Sequence, residues 1–263
     1  MRLWPHQERY IVRAREQFKL GRRALLLVLP TGAGKTVLAT ALARAHFGKS
    51  GRVLWIVHRA ELIKQAAASL RKADVPCGII APWAPRTYEP VQVASIQTLI
   101  ARNQVLEGIT MLVIDEAHHI VADTYLQVRR QYPAAIVIGL TATPGRADNR
   151  GLGNAFDSMI AEVQPRELIA LHEQDPSMGL TPVRVIGPRA AVDNLCDYPV
   201  DAYRADCDGR QCIAFVGSVK EAGRLAQAFT VAGYPARAID GMMSDDERER
   251  TIDAFRSGAL RVL

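Results

Sequence analysis

Six apolar residues in a row, Ala24 to Leu29, stop at a short glycine-bearing segment, Pro30-Thr31-Gly32-Ala33-Gly34-Lys35-Thr36, and few chain geometries accommodate that junction. An apolar run without polar alternation fits a strand covered on both sheet faces, which implies a parallel sheet. The glycines then let successive backbone N–H groups point inward, and the helix that follows adds positive potential at its N-terminus. In such a loop Thr31, Gly32, Ala33, Gly34 and Lys35 wrap phosphate groups, Lys35 reaching the outer two, and the Thr36 hydroxyl ligands Mg²⁺. The strict pattern wants glycine where Leu29 stands, and a chance glycine turn is the competing reading. The strand-loop-helix context is the one the motif requires.

The same alternation continues downstream. It predicts helices at Lys35 to His46, Ala60 to Lys72 and Thr124 to Gln131, and strands at Val53 to Val57, Val91 to Ala94, Met111 to Ile114 and Ala135 to Leu140. An opening helix, from Trp4-Pro5 to Gly21, precedes them. Strands alternating with helices argue for an α/β, doubly wound parallel sheet with ligands at the carboxyl ends of its strands. A short helix at Pro165 to Leu171 and a strand at Val183 to Ile186 complete a first domain, 1–187. A Pro, Gly and Asp-rich stretch, 188–210, reads as linker. A second α/β unit, 211–263, begins with a strand at Cys212 to Val216, continues through Val219 to Val231, Ala236 to Ile239 and Asp245 to Phe255, and ends in a strand at Leu260 to Leu263. A chain of 263 residues allows two modest domains.

A second apolar strand ends in Asp115-Glu116-Ala117-His118. Mg²⁺ needs a hard oxygen ligand, which Asp115 can supply, while Glu116 is free to act as general base on an attacking water. A solvated acidic strand end is the bland alternative. A third strand ends in Thr141-Ala142-Thr143-Pro144, which alone is an ordinary turn.

Charge is unevenly placed: 24 basic against 15 acidic residues up to Arg189, and 9 against 12 beyond it. A basic first part favours a polyanionic partner. Cys77, Cys196, Cys207 and Cys212 have no paired spacing, so we expect scattered thiols in a reducing compartment and no zinc site. Absence of a signal pattern or membrane-length apolar run points to a cytoplasmic chain without membrane contact.

In this order, the motifs resemble those of superfamily 2 helicases of the DEAD/DEAH type, and more closely the RadD-like DNA repair branch. The resemblance implies a P-loop RecA-like domain followed by a partial second RecA-like domain, with ATP and Mg²⁺ as cofactors and DNA as the nucleic-acid partner. Leu3-Trp4-Pro5-His6-Gln7 is similar to the adenine-recognising segment, with Gln7 on the base edge, although Trp4 stands where relatives are often basic. His58-Arg59-Ala60-Glu61-Leu62 is similar to a motif that holds the nucleic-acid backbone, through Arg59. In Val91 to Leu99, Ser95, Gln97 and Thr98 would contact phosphate oxygens, though Ser95 also suits a helix cap. His118, Thr141 and Thr143 would couple γ-phosphate state to the nucleic-acid face, and Glu116, Lys35 and Asp115 would carry the chemistry. The segment Arg146 to Asp157 resembles one that follows the third motif in those repair helicases, and Ser218 and Lys220 are weaker strand-contact candidates.

In the family, two further motifs follow the strand that Leu260 to Leu263 begins, carrying the arginines that complete the ATP site. We therefore expect feeble turnover from this chain alone, or a partner protein that supplies those groups. Two readings stay open: an ATP-dependent DNA helicase or translocase in repair or recombination, truncated before its final motifs, and an ATP-gated DNA clamp with little or no unwinding. A small-molecule kinase shares the phosphate loop but does not account for the other motifs.

Overall fold

The computed structural model describes residues 2–119, 122–144, 152–181, 199–207 and 209–263. The chain forms two compact units, Met1–Val183 and Arg184–Leu263. In the first, chain order runs α1 (Pro5–Lys19), β1 (Ala24–Val28), α2 (Lys35–Phe47), β2 (Arg52–Val57), α3 (Ala60–Lys72), β3 (Cys77–Ile80), β4 (Val91–Ser95), α4 (Ile96–Ala101), β5 (Ile109–Ile114), α5 (Ala122–Gln131), β6 (Ile136–Thr141), β7 (Ser158–Ile160) and α6 (Pro165–Gln174). The strands make one sheet in the order β3-β4-β2-β5-β6-β1-β7, with every pairing parallel.

Alternating side chains of these apolar strands feed two separate cores, as expected when helices cover both faces. Leu25, Leu27, Trp55, Val93, Val113 and Ile138 pack with residues of α1, α2 and α3. Leu26, Leu54, Ala94, Leu112 and Val137 pack on the other face with Leu99 of α4 and with Val128 and Tyr132 beside α5. The sheet is thus doubly wound, and the P-loop RecA-like architecture stands.

β3 and β7 are strands that the apolar periodicity did not reveal. β3 is short and contains Gly78, where a side chain would collide with Thr87 Oγ1 and the Gln92 carboxamide. β7 has only three residues, and its entry is fixed by Asp157, whose Oδ2 accepts the Arg23 and Ala24 N–H groups at 2.7 and 2.9 Å. Just before it, buried Phe156 fills the space a side chain at Gly139 would need. The part of Arg146 to Asp157 within the described residues therefore anchors the β1 edge of the sheet.

The second unit contains α7 (Pro199–Asp206), α8 (Val219–Val231) and α9 (Asp245–Arg256). α7 lies in the stretch expected to be linker. Its Tyr203 is buried and meets Phe229 and Tyr234 edge-on, with ring centroids 5.4 and 4.8 Å apart, so an aromatic core holds it. The strands expected at 212–216, 236–239 and 260–263 occur as parallel bridges of Cys212 and Ala236 to Val262, too brief to be continuous strands. The expected strand at 183–186 and most of the expected linker lie outside the described residues, as does Cys196. Cys77, Cys207 and Cys212 are free thiols. Among the described residues, no helix is long and apolar enough to cross a membrane and no three or more His, Cys, Asp or Glu side chains gather to hold a metal ion between them.

Candidate active site

The loop after β1 is held from behind. Gly32 and Gly34 have φ of 81° and 77°, the left-handed region glycine enters without strain. Gly34 is also the N-cap of α2 and carries no capping side chain, so the first N–H groups of that helix face an incoming anion. A side chain at Gly34 would strike Gln7 Nε2, and one at Gly32 would strike Leu180 Cδ2. Backbone angle therefore calls for glycine at both positions, and a side chain there would also displace the ends of Gln7 and Leu180.

Gln7 explains much of this packing. It is buried, its Oε1 accepts the Trp4 N–H at 2.9 Å, and its Nε2 reaches the Ala33 and Gly34 carbonyls at 3.2 and 3.3 Å. The residue expected on a base edge braces the phosphate loop from α1. His6, not anticipated from the motifs, lies beside it: its Nε2 is 2.9 Å from the Ala33 carbonyl, and burial pulls its pKa below the ordinary imidazole value. The i, i+4, i+8 spacing of His6, Tyr10 and Ala14 was the available signal. The Tyr10 hydroxyl donates to the Val28 carbonyl and accepts the Glu162 N–H, tying the end of β1 to the segment that follows β7.

Asp115 and Glu116 follow β5, adjacent in the sheet to β6, which in turn pairs with β1. Burial, aided by the neighbouring Glu116 charge, raises the Asp115 pKa above the usual carboxylate value. Glu116 sits at φ 46°, a conformation that non-glycine residues adopt at a cost and that concentrates at functional sites. Its N–H donates to Asp115 Oδ1 at 3.0 Å, and its Oε1 lies 3.8 Å from Lys35 Nζ.

A short relay leads from there to β6. The Thr141 hydroxyl lies 2.8 Å from the Thr143 carbonyl, to which it donates, and 2.7 Å from His118 Nδ1. Glu116 Oε2 is 3.4 Å from the same nitrogen. The loop, two carboxylates, histidine and threonines expected from sequence are thus brought together.

These groups fit a hydrated Mg²⁺. Asp115 and the Thr36 hydroxyl are hard oxygen donors, and a cation there would relieve the buried charge that raises Asp115. The buried, unbonded Glu116 Oε2 suits a hydrogen-bonded water.

Arg59, Ser95, Gln97 and Thr98 gather at the ends of β2 and β4, where Val57 pairs with Ser95. Arg59 and Gln97 are exposed. Ser95 caps α4 by accepting the Thr98 N–H, while its hydroxyl donates to Gln97 Oε1 at 2.8 Å. Thr98 is buried against the second core, because the first turn of α4 tucks under the sheet. Of the three polar residues expected on phosphate, Gln97 is the one fully displayed, bonded to His58 through Nε2.

Residues 1–146, more than half of the chain, match the family described as type III restriction enzyme, res subunit. The chain belongs to that family. Residues 192–263 match the helicase conserved C-terminal domain, and the two matches together place the chain among superfamily 2 helicases. It is 27% identical over 253 residues to a 51.5 kDa protein of a Lactococcus phage, covering 89% of this chain and 53% of the relative. It is 26% identical over 302 residues to the putative mitochondrial ATP-dependent helicase irc3 of Schizosaccharomyces pombe, covering 100% of this chain and 49% of that protein. The chain spans about half the length of these curated relatives. Among solved structures, Saccharomyces cerevisiae Dbp5 L327V bound to RNA and ADP BeF3 aligns with TM-score 0.62 at 20% identity, covering 99% of this chain and 73% of that one, a likeness of fold.

Proposed function

We propose that this chain is the nucleotide-binding part of an ATP-dependent helicase or translocase acting on DNA, in the repair or recombination setting its RadD-like motifs imply. The observation that carries the reading is the chain of contacts from Lys35 through Glu116 and His118 to Thr141. It joins the phosphate loop to the carboxylate pair and then to a strand end. Lys35 and the loop N–H groups hold the outer phosphates of ATP, and Thr36 and Asp115 hold Mg²⁺. Bound there, the ion neutralises charge on the phosphate oxygens. Glu116 accepts a proton from the attacking water, its Oε1 3.8 Å from the Lys35 ammonium. When the nucleotide draws on Lys35 or Glu116, His118 and Thr141 receive the change at the ends of β5 and β6, and β5 pairs with β2, the strand that leads to Arg59.

Fluorescent-nucleotide titration with Mg²⁺ tests this directly. Wild type should bind ATP, and Lys35→Ala should lose binding to below detection. Equal binding by both proteins would sink the reading, and single-turnover hydrolysis without any strand separation would favour an ATP-gated clamp.

A further inference from the structure

The edge that carries Arg59 and Gln97 extends one strand further than the motifs reach. β3 is the outermost strand, and its last residue, Ile80, pairs with Ala94. Ala81 therefore leaves the sheet level with Ser95, as Val57 does on the other side, where it pairs with Ser95. Neighbouring strands lie about 4.8 Å apart, so Val57, Ser95 and Ala81 span about 10 Å of one continuous edge.

The chain turns as it leaves β3: the Ala84 N–H returns to the Ala81 carbonyl at 3.2 Å. That turn displays Trp83, whose surface is 54% exposed. The other two tryptophans are sequestered, Trp55 fully buried within the sheet and Trp4 edge-on to His6. Arg102, the C-cap of α4, donates Nη2 to the Ala81 carbonyl at 3.3 Å while remaining exposed. One turn therefore carries an exposed indole and, through its Ala81 carbonyl, holds an exposed guanidinium, at the end of the strand next to the one that leads to Gln97. At this position the pair matches a base and its phosphate, since aromatic faces stack on unpaired bases of any sequence and arginine takes the backbone.

We infer that Trp83 is a stacking platform for an unpaired base of a single strand lying across the β2, β4 and β3 ends, with Arg102 on the adjoining phosphate. This rests on the nucleic-acid reading above and assigns that reading a residue outside its motifs. Stacking tolerates any base, so the platform would hold a moving strand without selecting its sequence.

The test uses the whole chain, a short fluorescein-labelled oligothymidylate and its ribo-uridylate counterpart. Binding followed by anisotropy should weaken about 5- to 150-fold in Trp83→Ala, the range for losing one stacked base. Trp83→Phe keeps a stacking ring and should stay within a few-fold of wild type. Unlabelled oligonucleotide should quench intrinsic tryptophan emission in wild type and lose that effect in Trp83→Phe. Unchanged affinity in Trp83→Ala, with Arg59→Ala still weakened, overturns the platform alone and assigns Trp83 to another contact, such as a protein partner. No oligonucleotide binding by wild type overturns the nucleic-acid reading and the platform with it. Trp83 is exposed, so near-wild-type melting of both variants separates lost contact from lost fold.

Discussion

Glu116 is the residue at which geometry and chemistry can be separated most cleanly. Glu116→Gln keeps the shape and the left-handed backbone position but removes the proton acceptor. A positioned general base contributes roughly 10²- to 10⁴-fold in rate, so single-turnover ATP hydrolysis should fall by that order while nucleotide affinity stays within a few-fold. A variant that hydrolyses ATP at the wild-type rate would assign the base elsewhere. The loop and carboxylate residues were legible because their chemistry demands particular residue types at particular strand ends. The contacts of Gln7 and His6 with the loop were not, because both depend on α1 lying behind it: helical spacing marks His6 as part of a buried face without saying what that face meets. Thr98 shows the opposite failure: its residue type suits a phosphate, but the first turn of α4 buries it.

At the level of elements, the sheet's β1 edge turns on Asp157. Its carboxylate accepts two backbone N–H groups, from Arg23 and Ala24, and these hold its pKa below the usual 3.8. A depressed carboxylate pKa contributes stability that is present above the unfolded value and disappears as pH falls through the folded one. Asp157→Asn should therefore lower stability at neutral pH by about 1 kcal/mol, the low end for a charged acceptor because the group is exposed. Urea denaturation should show that difference shrinking as pH falls below 3.8, and a difference constant with pH would contradict the assignment. β7, which this residue introduces, shows why short elements escaped the sequence: three residues give no periodicity to read. β3 hid behind Gly78 and the preceding Pro76, both poor strand residues, while the space beside Gly78 is filled by the mutually bonded Thr87 and Gln92. α7 carries too few apolar positions to announce itself, and its aromatic partners come from residues 26 or more positions away.

At the scale of the molecule, the two units differ in charge. Unit Met1–Val183 holds 22 basic and 15 acidic residues, and unit Arg184–Leu263 holds 11 and 12. If a single strand lies on the first unit, its affinity must be partly counterion release, which gives a slope of log K against log salt of about −0.7 per phosphate neutralised. The candidate contacts then separate by kind. Arg59 is a cation, so Arg59→Ala should flatten the slope by about 0.7 as well as weaken binding. Gln97 is neutral, so Gln97→Ala should weaken binding by a similar factor at every salt concentration and leave the slope unchanged. Oligothymidylate titrations across a salt series read both quantities from the same curves. If the slope stayed at its wild-type value in Arg59→Ala, the basic surplus of the first unit would have to act elsewhere, and the β2 and β4 ends would lose their claim to the phosphate backbone.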